Sequence, residues 1–236
     1  MPQFTVEESF WALLPEAIIG AIVVHGIDNG PDHPATEDLL IDVADRVAGE
    51  IAEIDIGSMP EIAPWRAAYQ SFGAKPSKYK SSIENMLRAV RSGRIRGINP
   101  LVDLYNAVSL THRLPCGGED LAQIQGDIRL TRAVGGENFL PLGSDNQDPP
   151  FPGEVIYQDD AGAICRCWNW REAERTKITH ETTDAFLAIE ALPPVTENQL
   201  RAAVDELVEL INRHLGGEAK NQILTRASSD VSFALS

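Results

Sequence analysis

The chain has 236 residues, with 20 lysines and arginines against 35 aspartates and glutamates, 43% apolar and 23% charged. Apolar residues at that level, spread over the whole length, supply a sizeable core and exclude global disorder. No apolar run approaches the ~20 residues a bilayer span needs: the densest stretch, Ala17 to Val24, ends after eight residues at His25. Pro15 and Glu16 precede that stretch without a basic flank, so a signal peptide is not expected and the expectation is a soluble cytoplasmic protein. Three cysteines, Cys116, Cys165 and Cys167, cannot all pair with one another, which fits a reducing compartment. Cys165-x-Cys167 lacks a second Cys/His pair, and His25, His33, His112, His180 and His214 are scattered without metal-ligand spacing. No metal or cofactor is expected. No Walker-type glycine loop, His-Glu-x-x-His or Gly-x-Ser-x-Gly segment occurs.

In chain order, the apolar run 17–24 reads as a buried strand, and Thr36 as the cap of a helix carrying Leu40, Ile41, Val43, Ala44 and Val47. Pro64 to Phe72 forms a second helix ended by Gly73. A third starts at Ser81 or Ser82, with Ile83, Met86, Leu87 and Val90 at helical spacing and Arg88 and Arg91 facing outward. Asn99-Pro100 opens a fourth, on which Asn99, Asp103 and Asn106 share one face, as either a capping network or the polar floor of a pocket. Pro115-Cys116-Gly117-Gly118 reads as a loop leading to Glu119 and Asp120. Short strands follow at 128–131, 155–157, 164–170 and 185–190, with Asp159-Asp160-Ala161-Gly162 making the middle two a hairpin. In a continuous strand 164–170, Arg166, Trp168 and Trp170 alternate with Cys165, Cys167, Asn169 and Arg171. After Pro193-Pro194, Leu200, Val204, Leu207, Val208 and Ile211 repeat as an amphipathic helix closed by Gly216-Gly217, and the tail from Asn221 has ill-defined β character. With neither a low-complexity linker nor an internal repeat, residues 1–236 read as a single domain.

Charge is unevenly distributed. From Arg66 to Arg96 the basic residues are Arg66, Lys75, Lys78, Lys80, Arg88, Arg91, Arg94 and Arg96 against Glu84 alone, a net of +7, while the rest of the chain carries −22. The acidic remainder argues against general nucleic-acid binding, and DNA is not an expected partner. The basic strip, with Tyr69, Phe72 and Tyr79 interleaved, suits a polyphosphate ligand whose bases stack on the rings, or else is a solvated face that offsets the acids.

The ordered blocks SFGAKPSKYKSSIENMLRAV, INPLVDLYNAVSL, LPCGGEDL, PGEVIYQDDAGAICRCWNWRE and THETTDAFLAIEAL resemble the B3/B4 domain of the phenylalanyl-tRNA synthetase β subunit, and its free-standing relatives above all. The resemblance is strongest over residues 65–192. It implies an α+β fold of three layers, a β-sandwich-like core with flanking helices, and a tRNA or aminoacyl-tRNA partner. It also implies an editing activity: metal-free hydrolysis of an amino acid wrongly esterified to tRNA, which needs a placed water, oxyanion donors and a selective pocket. Asn99, Val102, Asp103, Asn106 and Val108 fit the family's Asn…Val-Asp-x-x-Asn-x-Val segment, and Pro115 fits its following proline. Where the synthetase has a water-positioning histidine, this chain has Gly117; His112 is near in sequence. Carried over in this way, the candidate catalytic set is Asn99, Asp103, Asn106, Asn169 and Arg171, with His112 as a substitute. The candidate substrate pocket is Gly117, Glu154, Trp168, Glu172, Glu190 and Ala191. The candidate RNA contacts are Lys75, Lys78, Lys80, Arg88, Arg91, Arg94 and Arg96. Three functions follow for test: a trans-editing hydrolase, a non-catalytic RNA-binding module, and a binder of a small amino-acid-like ligand.

Overall fold

The computed structural model describes residues 3–232. Among these residues, two sheets and six α-helices make an α+β fold. The larger sheet contains β1 (Gln3–Val6), β4 (Ile128–Arg132), β5 (Val155–Asp159), β6 (Gly162–Arg166), β7 (Arg171–Glu172) and β10 (Asp230–Ser232), in the order β10-β1-β4-β5-β6-β7. The smaller contains β2 (Ile18–His25), β3 (Cys116–Asp120), β8 (Ala185–Ala191) and β9 (Glu218–Leu224), in the order β3-β8-β2-β9. Among the described strands only β1 and β4 run parallel, as expected where most connections are short.

The sheets face each other across an aromatic layer. Phe4 of β1 meets Phe186 of β8 with ring centroids 4.7 Å apart, and Phe10 and Trp65 close on Trp168 at 5.1 and 4.7 Å. A third layer covers the other side of the small sheet: α5 (Pro100–His112) and α6 (Glu197–His214) bury Leu101, Leu104, Val108, Leu200, Val204, Leu207 and Ile211 against Ile22, Leu187 and Ile189. Period 2 in β8 divides it between these layers, Phe186 and Ala188 toward the large sheet, Leu187, Ile189 and Ala191 toward the helices. The remaining helices are the short α1 (Glu8–Trp11), α2 (Pro34–Ile51), α3 (Ala63–Ser71) and α4 (Ser82–Arg91); α2 packs on α4 and α5.

Most expected elements are present, with four differences. Helix α2 begins at Pro34, whose locked φ favours the first helical position, and Thr36 lies inside the first turn with its hydroxyl on the His33 carbonyl. The segment 116–120, expected as a loop, is strand β3, because β8 offers it a full antiparallel ladder. The expected strand 164–170 stops at Arg166, and Cys167 and Trp168 both turn through the left-handed region at φ 44° and 64°. The tail is ordered as β9, which pairs with β2 over seven residues.

Gly20 decides how closely α6 approaches the sheet. A Cβ there would lie 2.4 Å from Val204 Cγ2. Gly20→Val is therefore expected to overpack this contact and lower unfolding stability by about 1–3 kcal/mol, measured by urea denaturation.

Candidate functional site

Strand register assembles the site. Gly117 and Glu119 of β3 pair with Ala188 and Phe186 of β8, which places both on the face turned to the large sheet, two residues from Glu190. On the opposite sheet Tyr157, Cys165 and Glu172 pair in a row across β5, β6 and β7. Between the two rows lies a cavity of about 20 Å³, lined by Gly117, Gly118, Glu119, Glu172, Glu190, Tyr157 and Asn169 among others. That is room for about one water molecule. Beside it runs a groove of about 300 Å³ that shares Gly118 and Glu172 with the cavity and is further lined by Ile98, Asn99, Val102, Tyr105 and His180.

The turn after β6 delivers Trp168 and Asn169 into the cavity wall. Two consecutive bulky residues at positive φ cost on the order of 1–3 kcal/mol each, so the surroundings must hold them. Arg166 and Glu154, 2% and 0% exposed, do so. Arg166 Nε and Nη2 donate to the two Glu154 oxygens at 2.8 and 2.7 Å, and the Cys167 amide donates to Glu154 Oε1 at 2.9 Å. The Trp168 amide donates to the Val155 carbonyl at 2.6 Å, and its indole packs between Phe10 and Trp65. Asn169 Nδ2 then donates to Glu190 Oε2 at 2.6 Å, while its Oδ1 accepts from Tyr69 Oη at 2.9 Å and from the Ser82 amide at 3.4 Å. Tyr157 Oη donates to the other Glu190 oxygen at 2.5 Å.

Three carboxyls thus meet in one buried space. Burial pushes the Glu190 carboxyl up to about 7, against the hydrogen bonds it accepts from Tyr157, Asn169 and Trp168. Glu119 and Glu172 face each other, and burial raises both, with the Glu172 charge raising Glu119 further. Glu119 Oε2, Glu172 Oε2 and Trp168 Nε1 are all enclosed. Among the described residues no group of three His, Cys, Asp or Glu side chains is arranged to hold a metal ion.

Of the sequence candidates, Gly117, Trp168, Asn169, Glu172 and Glu190 come together around the cavity, and Asn99 lines the groove. Asn99 and Asp103 also cap: Asn99 Oδ1 accepts from Val102 N and Asn29 Nδ2, and Asp103 Oδ1 accepts from Ile98 N at 2.8 Å. Burial raises Asp103 to about 6. Others stand apart. Ala191 faces the helices, Glu154 lies beneath the turn, and Asn106 lines neither space. Arg171 is exposed with its guanidinium on the Leu142 carbonyl, and it shares no strand face with Asn169, because Arg171 opens β7 while Asn169 lies in the turn before it. His112 binds Glu206 at 2.7 Å.

None of the eight strip cations lines the cavity or the groove. Arg66 and Arg88 both clamp the buried Glu84, and Arg91 donates to the Ile54 carbonyl. Lys78 lies over the Tyr79 ring, which packs on Trp170, so the Lys75–Lys80 loop borders the turn bearing Asn169. Sequence reasoning missed Glu119, Tyr157 and Cys165. Had 116–120 been read as a strand, period 2 would have set Glu119 beside Gly117.

The B3/4 domain family model matches residues 64–216. The chain belongs to this family. Of its relatives, the phenylalanine–tRNA ligase beta subunit of Ruegeria pomeroyi is 32% identical over 106 residues, 44% of this chain and 12% of that protein. The corresponding subunit of Cereibacter sphaeroides is 28% identical over 182 residues, 71% and 22% respectively. The B3/4 chain thus spans less than a quarter of either relative's length. A solved N-terminal fragment of the phenylalanyl-tRNA synthetase beta subunit from Pyrococcus horikoshii aligns over 92% of this chain and 49% of its own, with 14% identity and a TM-score of 0.49. No helix among the described residues of the B3/4 chain is long and apolar enough to cross a membrane.

Two outcomes are expected. Glu154→Gln leaves Arg166 with only the half-exposed Asp148 carboxylate, at 2.6 Å, as counter-charge, and should cost up to about 3 kcal/mol in urea denaturation. Because the folded Glu190 carboxyl holds its proton up to about 7 while the unfolded one releases it near 4.5, its contribution to stability is full below about 4.5 and is lost as pH rises through about 7. Glu190→Gln should remove that part of the pH dependence, about 3 kcal/mol, in urea titrations across this window.

Proposed function

We propose that this B3/4 domain acts on aminoacyl-tRNA and releases the amino acid by hydrolysis of its ester. The observation that carries the reading is a water-sized cavity, ringed by buried carboxyls and held in place by Asn169, which opens beside a groove large enough for an aminoacyl group. Ester hydrolysis asks for little more: a placed water, a proton acceptor, and walls that select the acyl chain. The tRNA ligase relatives and the motif resemblance support an RNA-linked substrate. In this reading the exposed cations of the Lys75–Lys80 loop, with Arg91, Arg94 and Arg96, hold phosphates, whereas Arg66 and Arg88 are committed to Glu84.

Gly117 in the histidine position favours a second reading, RNA binding without turnover. Steep salt dependence of tRNA affinity with no release of amino acid would select it. Binding of free amino acids with no affinity for tRNA at low salt would instead select a small-ligand role.

Incubation with a panel of mischarged tRNAs tests the first reading, which fails if no pair is deacylated above its spontaneous rate. Asn169→Ala, which frees Glu190 and opens the wall, should lower kcat/KM at least tenfold on the responding pair. Replacing Lys75, Lys78 and Lys80 together by alanine should weaken tRNA binding and reduce its logarithmic salt slope by about one for each phosphate no longer neutralised.

A further inference from the structure

We infer that the Glu119–Glu172 carboxyl pair, standing where the synthetase has its water-positioning histidine, serves as the proton acceptor of this hydrolysis, and that Gly117 is required because Glu172 occupies the space a side chain at 117 would fill. The inference rests on the hydrolase reading and names its chemistry.

The steric observation comes first. A Cβ built on Gly117 lies 2.7 Å from Glu172 Oε1, closer than real Cβ contacts come. Any larger residue at 117 must expel the carboxyl, so histidine at 117 and Glu172 in its present position exclude one another. The second observation concerns the polar lining. Glu119, 4% exposed, Glu172 and the fully buried Trp168 all line the enclosed space, where the Trp168 indole N–H lies against Glu190. Carboxyl oxygens and an N–H around room for a single water are the complement of a nucleophilic water and a developing oxyanion.

Position assigns the parts. Two carboxyls this close titrate as a pair, and burial raises both. Of the two only Glu172 borders the groove as well as the cavity, which makes it the acceptor. The groups facing the pair are Cys116 and Tyr105 from the β3 and α5 side, Tyr157 and Cys165 from the large sheet, Glu190 from β8, and Arg175 and Lys177 from the following loop. In the step proposed, the Glu172 carboxylate takes a proton from the water as its oxygen bonds to the ester carbonyl carbon, and the carbonyl electron pair moves onto oxygen beside the Trp168 N–H. Collapse of the adduct breaks the bond to the ribose oxygen, which leaves with the proton from Glu172. The new carboxylic acid then ionises to solvent. Glu119 touches no reacting atom; it positions Glu172 and sets where it titrates.

Single-turnover deacylation against pH, with tRNA affinity measured in parallel, tests this. Glu172→Gln should lose at least 100-fold in rate with affinity unchanged and should abolish the acidic limb of the profile. Glu119→Gln, whose amide still donates to Glu172, should stay within about tenfold of the parent, whereas Glu119→Ala should move the limb to higher pH. Gly117→Ala should lose tenfold or more with the fold retained by circular dichroism. A parent that deacylates while Glu172→Gln does so with an unchanged rate and profile overturns this inference alone. A parent inactive on every pair overturns the hydrolase reading and this inference with it.

Discussion

The arrangement depends on one buried ion pair. Glu154 and Arg166 are both inside the protein, where an isolated charge is prohibitively expensive and a paired one is tolerated only with good geometry and every lone pair used. Here the guanidinium grips the carboxylate at two points and spends another N–H on the Asp148 carbonyl at 2.7 Å, while Glu154 also accepts the Cys167 amide. That last bond turns a stabilising contact into a positioning one. It holds two non-glycine residues in a backbone region they avoid, and the sharp reversal is what brings Asn169 from an expected strand face to the Glu190 carboxyl.

The same logic of low dielectric governs the site. Tyr157, Asn169 and Tyr69 form a chain of hydrogen bonds that fixes Glu190, so its geometry is preorganised before any ligand arrives. Glu119 and Glu172, by contrast, face each other without such a set of donors, and this is the capacity that the proposed hydrolysis would use. The acidic composition of the chain therefore has distinct components: a solvated majority, acids such as Glu84 and Glu154 buried against arginines, and the site carboxyls Glu119, Glu172 and Glu190, which burial shifts upward.

The basic strip shows how far linear clustering can mislead. Of eight cations clustered in sequence, Arg66 and Arg88 are both spent on a single buried acid, Glu84. The Lys75–Lys80 loop borders the turn that bears Asn169, through the Tyr79–Trp170 contact, and lines neither the cavity nor the groove.

Periodic signals carried most of the fold. The apolar run of β2, the 3.6-residue repeats of α4 and α6, the proline at the start of α5 and the turn between β5 and β6 are local, and so the residues alone determined them. The motif blocks likewise determined the family, and with it Gly117, Glu172 and Glu190. Only the tertiary structure decided that Cys116–Asp120 is a strand, because its two glycines have no β preference of their own and pair only where β8 supplies a ladder. It alone broke the expected 164–170 strand, through a glutamate twelve residues before Arg166, and placed Glu119 against Glu172. Pairing across a sheet and burial of charge are not written in local periodicity, and the energies that settle them exist only once water has been excluded.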